Sequence, residues 1–108
     1  MVTLEEYIDE QGKSAFASWF NKLNPQAAVK VTTYLTRVEM GNFSQLKGIG
    51  SGVHELRIDW GSGYRVYMGR DGDTLIILLG GGTKKRQQDD IEQAKERWKA
   101  YKKRKKGL

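Results

Sequence analysis

Residues 75–79 read LIILL, an unbroken apolar run between a polar turn and three glycines. A strand that is apolar at odd and even positions alike reads as a central strand of a sheet, and that one segment sets the rest of the chain around a sheet. The residues before it carry a period of two. In VHELRIDW (53–60), Leu56, Ile58 and Trp60 alternate against Glu55, Arg57 and Asp59, and in YRVYM (64–68), Tyr64, Val66 and Met68 alternate against Arg65 and Tyr67. Gly61-Ser62-Gly63 separates the two runs. A three-residue turn there puts Trp60 opposite Tyr64, Ile58 opposite Val66 and Leu56 opposite Met68, whereas a two-residue turn would set apolar against charged residues throughout. Arg70-Asp71-Gly72-Asp73 makes the next turn.

The first half of the chain is periodic at the helical spacing instead. Phe16, Trp19, Phe20 and Leu23 share one face of a short helix; Asn24 and Pro25 then restart the chain as N-cap and first helical residue. Ala27, Ala28, Val31, Tyr34, Leu35 and Val38 continue a second helix until Gly41-Asn42 stops it. Residues 2–8 read either as a strand or as an irregular lead-in, with the strand favoured. At the other end, Asp89, Asp90 and Glu92 precede a run of lysines, the order that a helix dipole favours, and Ile91, Ala94, Trp98 and Tyr101 make the apolar stripe. The expected fold is α+β: an N-terminal helical hairpin packed on an antiparallel sheet of three to four strands, with a C-terminal helix, in a single domain over residues 1–108.

Charge is uneven. The net +6 rests on residues 95–106 (KERWKAYKKRKK), which hold eight Lys/Arg against one Glu, while the rest of the chain is close to neutral. The 95–108 segment is either a solvated basic helix end or an arm that holds a polyanion. The chain has no cysteine, so neither a disulfide framework nor a thiolate metal site is available, which suits a cytoplasmic location. The N-terminus MVTLEEYIDEQG has no secretory pattern, no stretch approaches a membrane span, and no membrane association is expected. GIGSG precedes a strand and GGG lacks the Lys-Ser/Thr of a P-loop, so neither is a nucleotide fingerprint. No cofactor or metal is expected; the chemistry on offer is that of Lys, Arg and Tyr.

The three-residue turn also predicts a face. Arg57, Arg65 and Tyr67 share the side away from the helices, with Arg57 opposite Tyr67 and Asp59 opposite Arg65, and Lys84, Lys85 and Arg86 emerge beside them from the central strand. Arginine forks suit phosphate, and a tyrosine suits a base. Asp59 and Arg65 would equally form an ordinary cross-strand ion pair. His54, the only histidine, is a possible general base but falls by parity on the core-facing side.

Taken together, Gly52-Val53-His54-Glu55-Leu56-Arg57-Ile58, Gly63-Tyr64-Arg65-Val66-Tyr67, Gly81-Gly82-Thr83-Lys84 and Asp90-Ile91-Glu92-Gln93-Ala94 resemble the RelE/ParE superfamily, and more narrowly the HigB/RelE-type addiction module killer proteins. The resemblance implies a RelE-like toxin domain with a twisted sheet. It implies the toxin of a type II toxin–antitoxin system, silenced by a cognate antitoxin of helix-turn-helix type encoded next door, and an endoribonuclease that inhibits translation by metal-independent cleavage of mRNA, ribosome-bound in many members. Arg65 falls on the family's strand arginine and Lys84 and Lys85 on its basic positions after the last core strand, and with Tyr67 they are the candidate catalytic residues; Arg57, Arg86, Lys47, Lys102, Lys103 and Arg104 would bind RNA. The tyrosine that RelE nucleases carry near the start of the C-terminal segment is Ile91 here, which leaves Tyr67 or His54 as the base. ParE members share the fold and poison DNA gyrase, an alternative beside a non-catalytic nucleic-acid-binding module.

Overall fold

The computed structural model describes residues 1–107. Strand β1 (Thr3–Glu6) leads to helices α1 (Ala15–Phe20) and α2 (Pro25–Glu39), strands β2 (Leu46–Gly48), β3 (Val53–Ile58), β4 (Tyr64–Asp71) and β5 (Leu75–Thr83), a 3-10 turn (Lys84–Arg86) and helix α3 (Gln87–Lys106). The class is α+β, with one five-stranded sheet in the order β1-β5-β4-β3-β2. The five strands are one more than the upper end of the expected three to four. β1 runs parallel to β5, from Thr3 opposite Leu75 to Glu6 opposite Leu78, and β2 pairs three residues with β3. β1 falls within residues 2–8, where the sequence favours a strand, whereas β2 was not expected, because LKG is too short to show a period.

LIILL does bury both faces. Ile76 and Leu78 join a core with Val31, Leu35, Val38, Leu56, Ile58, Val66 and Met68 beneath α1 and α2. Ile77 and Leu79 join a second core with Tyr7, Val53, Tyr67, Ala94 and Trp98 beneath α3. Asn24 caps α2 as the sequence suggests, its side chain accepting from Ala27 N at 2.9 Å, and Ser14 Oγ caps α1, accepting from Ala17 N at 3.0 Å. The expected hairpin is not clearly formed. α1 lies on β5 and α2 faces β3, so both rest on the sheet.

The β3–β4 register differs from the expected one by two residues. Ile58 faces Tyr64, Leu56 faces Val66, Arg57 faces Arg65 and Glu55 faces Tyr67. Trp60 leaves the strand so that its ring stacks on Tyr64, with centroids 6.1 Å apart, and Gly61 and Gly63 at φ of 61° and 90° turn the longer loop. A slip of two preserves parity, so every side chain keeps its face while its opposite neighbour changes.

The face bearing Arg65 and Tyr67 is not open, as the strand pattern had suggested. α3 lies across it, with Trp98 seated on Gly69 so closely that a Cβ there would clash with the indole ring. Tyr101 Oη donates to Asp71 at 2.6 Å, Lys105 pairs with the same carboxylate at 2.6 Å, and Arg104 Nη1 donates to the Ile8 carbonyl at 2.8 Å. The basic C-terminal segment is therefore a docked helix as far as Lys106. Among the described residues, no helix is long and apolar enough to cross a membrane.

Candidate functional site

Register places the candidate residues in two rows across the α3-side face. Gly82, Arg65 and Arg57 form one row on β5, β4 and β3; Gly80, Tyr67, Glu55 and Lys47 form the next on β5, β4, β3 and β2. Neighbouring strands lie about 4.8 Å apart, so Arg57 sits roughly 10 Å from Gly82. The chain leaves β5 two residues after Gly82 and delivers Lys84, Lys85 and Arg86 at the end of this face. Lys47, Arg57, Lys84, Lys85 and Arg86 are exposed, forming a cationic rim.

Beneath the rim is a buried polar cluster. Glu55, Arg65 and Tyr67 expose only 3%, 5% and 0% of their surface. Arg65 Nε stands 3.7 Å from Glu55 Oε2, and Gln87 Nε2, in the first residue of α3, donates to the same oxygen at 2.9 Å. Arg65 Nη1 and the Tyr67 hydroxyl are buried without a hydrogen-bond partner. Burial, followed by the negative charge of Glu55, pushes the Tyr67 phenol well above its ordinary range, so it holds its proton near neutrality. Tyr67 consequently offers no ring for a base to stack on and no phenolate to accept a proton. Both roles expected of it require exposure that α3 denies. Arg65 is likewise an arginine under the surface, its guanidinium reaching back toward Gly63.

His54 lies on the other side of the sheet, opposite Met68. It is half-buried, and burial together with the Arg70 cation lowers its imidazole below the ordinary value. A sheet separates it from Arg65, so the two share no site.

The other basic positions are also divided. Lys102, Lys103 and Arg104 lie at the far end of α3, about 24–27 Å from Arg86 at roughly 1.5 Å per residue. Lys102 lies 5.8 Å from the Trp98 ring and Arg104 5.3 Å from the Tyr7 ring, so both brace the helix end. Lys103 is simply exposed.

The sequence reading missed Glu55 and Gln87. Glu55 was accessible to it, since it shares parity with Arg57; only the register hid that it faces Tyr67. It also missed Asp90, whose carboxyl group rests against Gly82 where a Cβ would collide with it. Burial raises the Asp90 carboxyl above its usual value, with Arg86 pulling the other way. No group of three or more His, Cys, Asp or Glu that could hold a metal ion occurs among the described residues.

Two comparisons place the chain. An uncharacterized protein of Haemophilus influenzae is 47% identical to it over 81 residues, covering 74% of this chain and 82% of that protein. Residues 18–99, from within α1 to within α3, match the family described as Phage derived protein Gp49-like (DUF891). The matched span includes the cationic rim, the Glu55–Arg65–Tyr67 cluster and Gln87, and the chain belongs to the phage-derived Gp49-like family.

Proposed function

We propose that this chain is the toxin of a type II toxin–antitoxin pair, a relative of the HigB/RelE-type killers, and that it inhibits translation in the cytoplasm by cutting mRNA without a metal ion. The observation that carries the reading is the rim: five exposed cations, from β2, β3 and the turn after β5, gathered around the N-terminal end of α3. That arrangement suits a phosphodiester backbone, because Lys and Arg neutralise phosphates and the positive end of the helix adds to them. Lys84 and Lys85 stand on the turn with nothing above them.

In the proposed reaction the RNA 2′-oxygen attacks the adjacent phosphorus and gives its proton to solvent water, while the P–O5′ bond breaks. The products are a 2′,3′-cyclic phosphate and a 5′-hydroxyl, which takes up a proton. Lys84, Lys85 and Arg57 stabilise the charge that develops on the phosphoryl oxygens. Arg65, below the rim, contributes positive potential and holds β3, β4 and the start of α3 in register through Glu55. It contacts phosphate directly only if α3 moves. Tyr67 supports the same cluster.

A protein of this kind needs an inhibitor, and we propose an antitoxin of helix-turn-helix type, encoded beside it, that lays acidic residues on the rim. Complementary charge would also speed the association. Co-purification with the neighbouring gene product should succeed and should weaken when Arg57 and Lys84 are both reversed to Glu.

The functional reading is tested by inducing the chain from a tight promoter and following new protein and new DNA by separate labels. Translation should collapse first. Early DNA damage with translation spared would assign the chain to gyrase poisoning instead, and normal growth would leave a nucleic-acid-binding module without toxicity.

A further inference from the structure

β1 pairs with β5 only as far as Leu78, and beyond that point no described strand lies beside β5 on that edge. Along the bare edge run Gly80 and Gly81. α1 approaches from one face of the sheet and α3 from the other, and between them opens a cleft of about 370 Å³. Ligand pockets begin at roughly 300 Å³, so the space suits one small planar group better than a large one. The glycines make the cleft possible: the Trp19 ring lies against Gly81, and Asp90 against Gly82, both closer than any Cβ would allow.

Its walls are chemically mixed. Trp19 offers aromatic surface, Lys22 and Arg86 bring cations, and Asp90 brings a carboxylate whose burial is incomplete. Arg97 is fixed across the floor, its Nη1 donating to the Leu79 carbonyl at 3.1 Å and its Nη2 to Gln93 at 3.0 Å. Asp90 has no hydrogen-bond or ion-pair partner among the described residues. Arg86 belongs both to this cleft and to the cationic rim, so the two are continuous.

We infer that the cleft is a nucleobase site that takes an unpaired guanine, read by the Asp90 carboxylate. The inference rests on the RNA-cleaving reading above and names the base that the reading leaves open. An extruded RNA base is held by stacking and by hydrogen bonds along its edge. A carboxylate accepts only, and it accepts two donors side by side. Guanine presents such a pair, N1–H and N2–H; adenine and cytosine each put one amino group beside an acceptor, and uracil presents one N–H between carbonyls. Lys22 and Arg86 at the mouth then hold the flanking phosphates, which places the next phosphodiester toward Lys84 and Lys85.

Calorimetric titration of the full chain with guanosine, adenosine and ribose 5-monophosphates tests this. Guanosine monophosphate should bind at least tenfold more tightly than adenosine monophosphate, and ribose phosphate most weakly. Asp90→Asn replaces one acceptor by a donor and should abolish the preference. Ser18 is an exposed residue of α1 on the cleft wall. Ser18→Trp should fill the space and abolish base-dependent binding with the thermal melt unchanged, which keeps the test open if the Asp90 variant fails to fold. Equal affinity of the two nucleotides for the native chain, or an undiminished guanine preference in either variant, overturns the inference. RNA cleavage in cells without guanine binding removes the base site alone. Guanine binding with cellular RNA left intact removes the nuclease reading alone.

Discussion

Arg57 and Arg65 face each other across two strands and differ in almost everything that matters to a substitution. Arg57 stands in solvent, whereas Arg65 is nearly sealed beside Glu55. Removing one partner of a buried ion pair strands the other charge, so Arg65→Ala should cost about 3 kcal/mol of folding stability. Arg57→Ala should stay within roughly 0.5 kcal/mol, as surface changes do. Urea denaturation of the two variants checks both; equal midpoints would show that the Glu55–Arg65 pair is not formed. It follows that loss of toxicity in Arg65→Ala, taken alone, says nothing about phosphate binding. Tyr67→Phe makes a sharper probe of the same cluster. Its hydroxyl is buried without a partner, so deleting it should leave the melting temperature unchanged or raise it slightly. A clear fall would mean that the hydroxyl is engaged in solution.

At the scale of elements, α3 decides how the molecule behaves, and the strand pattern alone did not show where it lies. Alternation in 53–60 and 64–68 gave the faces correctly, because parity survives a register slip of two. LIILL marks a strand buried on both sides, and the helix that covers its second side also covers Tyr67. Gly69 held the missing information: a glycine in mid-strand suggests close approach, here by Trp98. The split of the basic residues between two ends of α3 followed only once the helix was laid on the sheet. Gly69→Ala should accordingly destabilise the chain by about 1–3 kcal/mol or more, since the indole has nowhere to retreat. A thermal melt as high as that of the native chain would contradict the packing.

The far end of α3 carries a pH dependence of its own. Lys105 and Tyr101 hold the Asp71 carboxyl below its ordinary value of 3.8. Depression in the folded state means stability that is present above the unfolded value and lost as pH falls through the folded one. Tyr101 is pushed up to about 12, by burial first and then by its hydrogen bond to Asp71. That stability is complete below pH 10 and lost as pH rises toward about 12. Amide protection factors, which correct for the intrinsic pH dependence of exchange, should therefore fall at the C-terminal end of α3 at both extremes while those of its N-terminal half hold. Asp71→Asn should remove the acid limb. An acid limb that persists in that variant would place the titrating group elsewhere.

For the molecule as a whole, the claim is that the cationic rim at one end of the sheet engages RNA and that the docked basic helix end does not share its chemistry. Along α3 the helix-end cations lie about 24–27 Å from Arg86, so the two sets should separate in binding. Lys84→Ala with Lys85→Ala should flatten the salt dependence of single-stranded RNA affinity by a slope of about 1.4, at roughly 0.7 per lost phosphate contact. The most direct measurement is mapping of new 5′ ends in cellular RNA shortly after induction of the native chain and of this double variant. The native chain should create discrete new ends within messages bearing 5′-hydroxyls, and the double variant, folded to the same melting temperature, should create few or none. Messages left intact by the native chain, or cut equally by both proteins, would contradict the account.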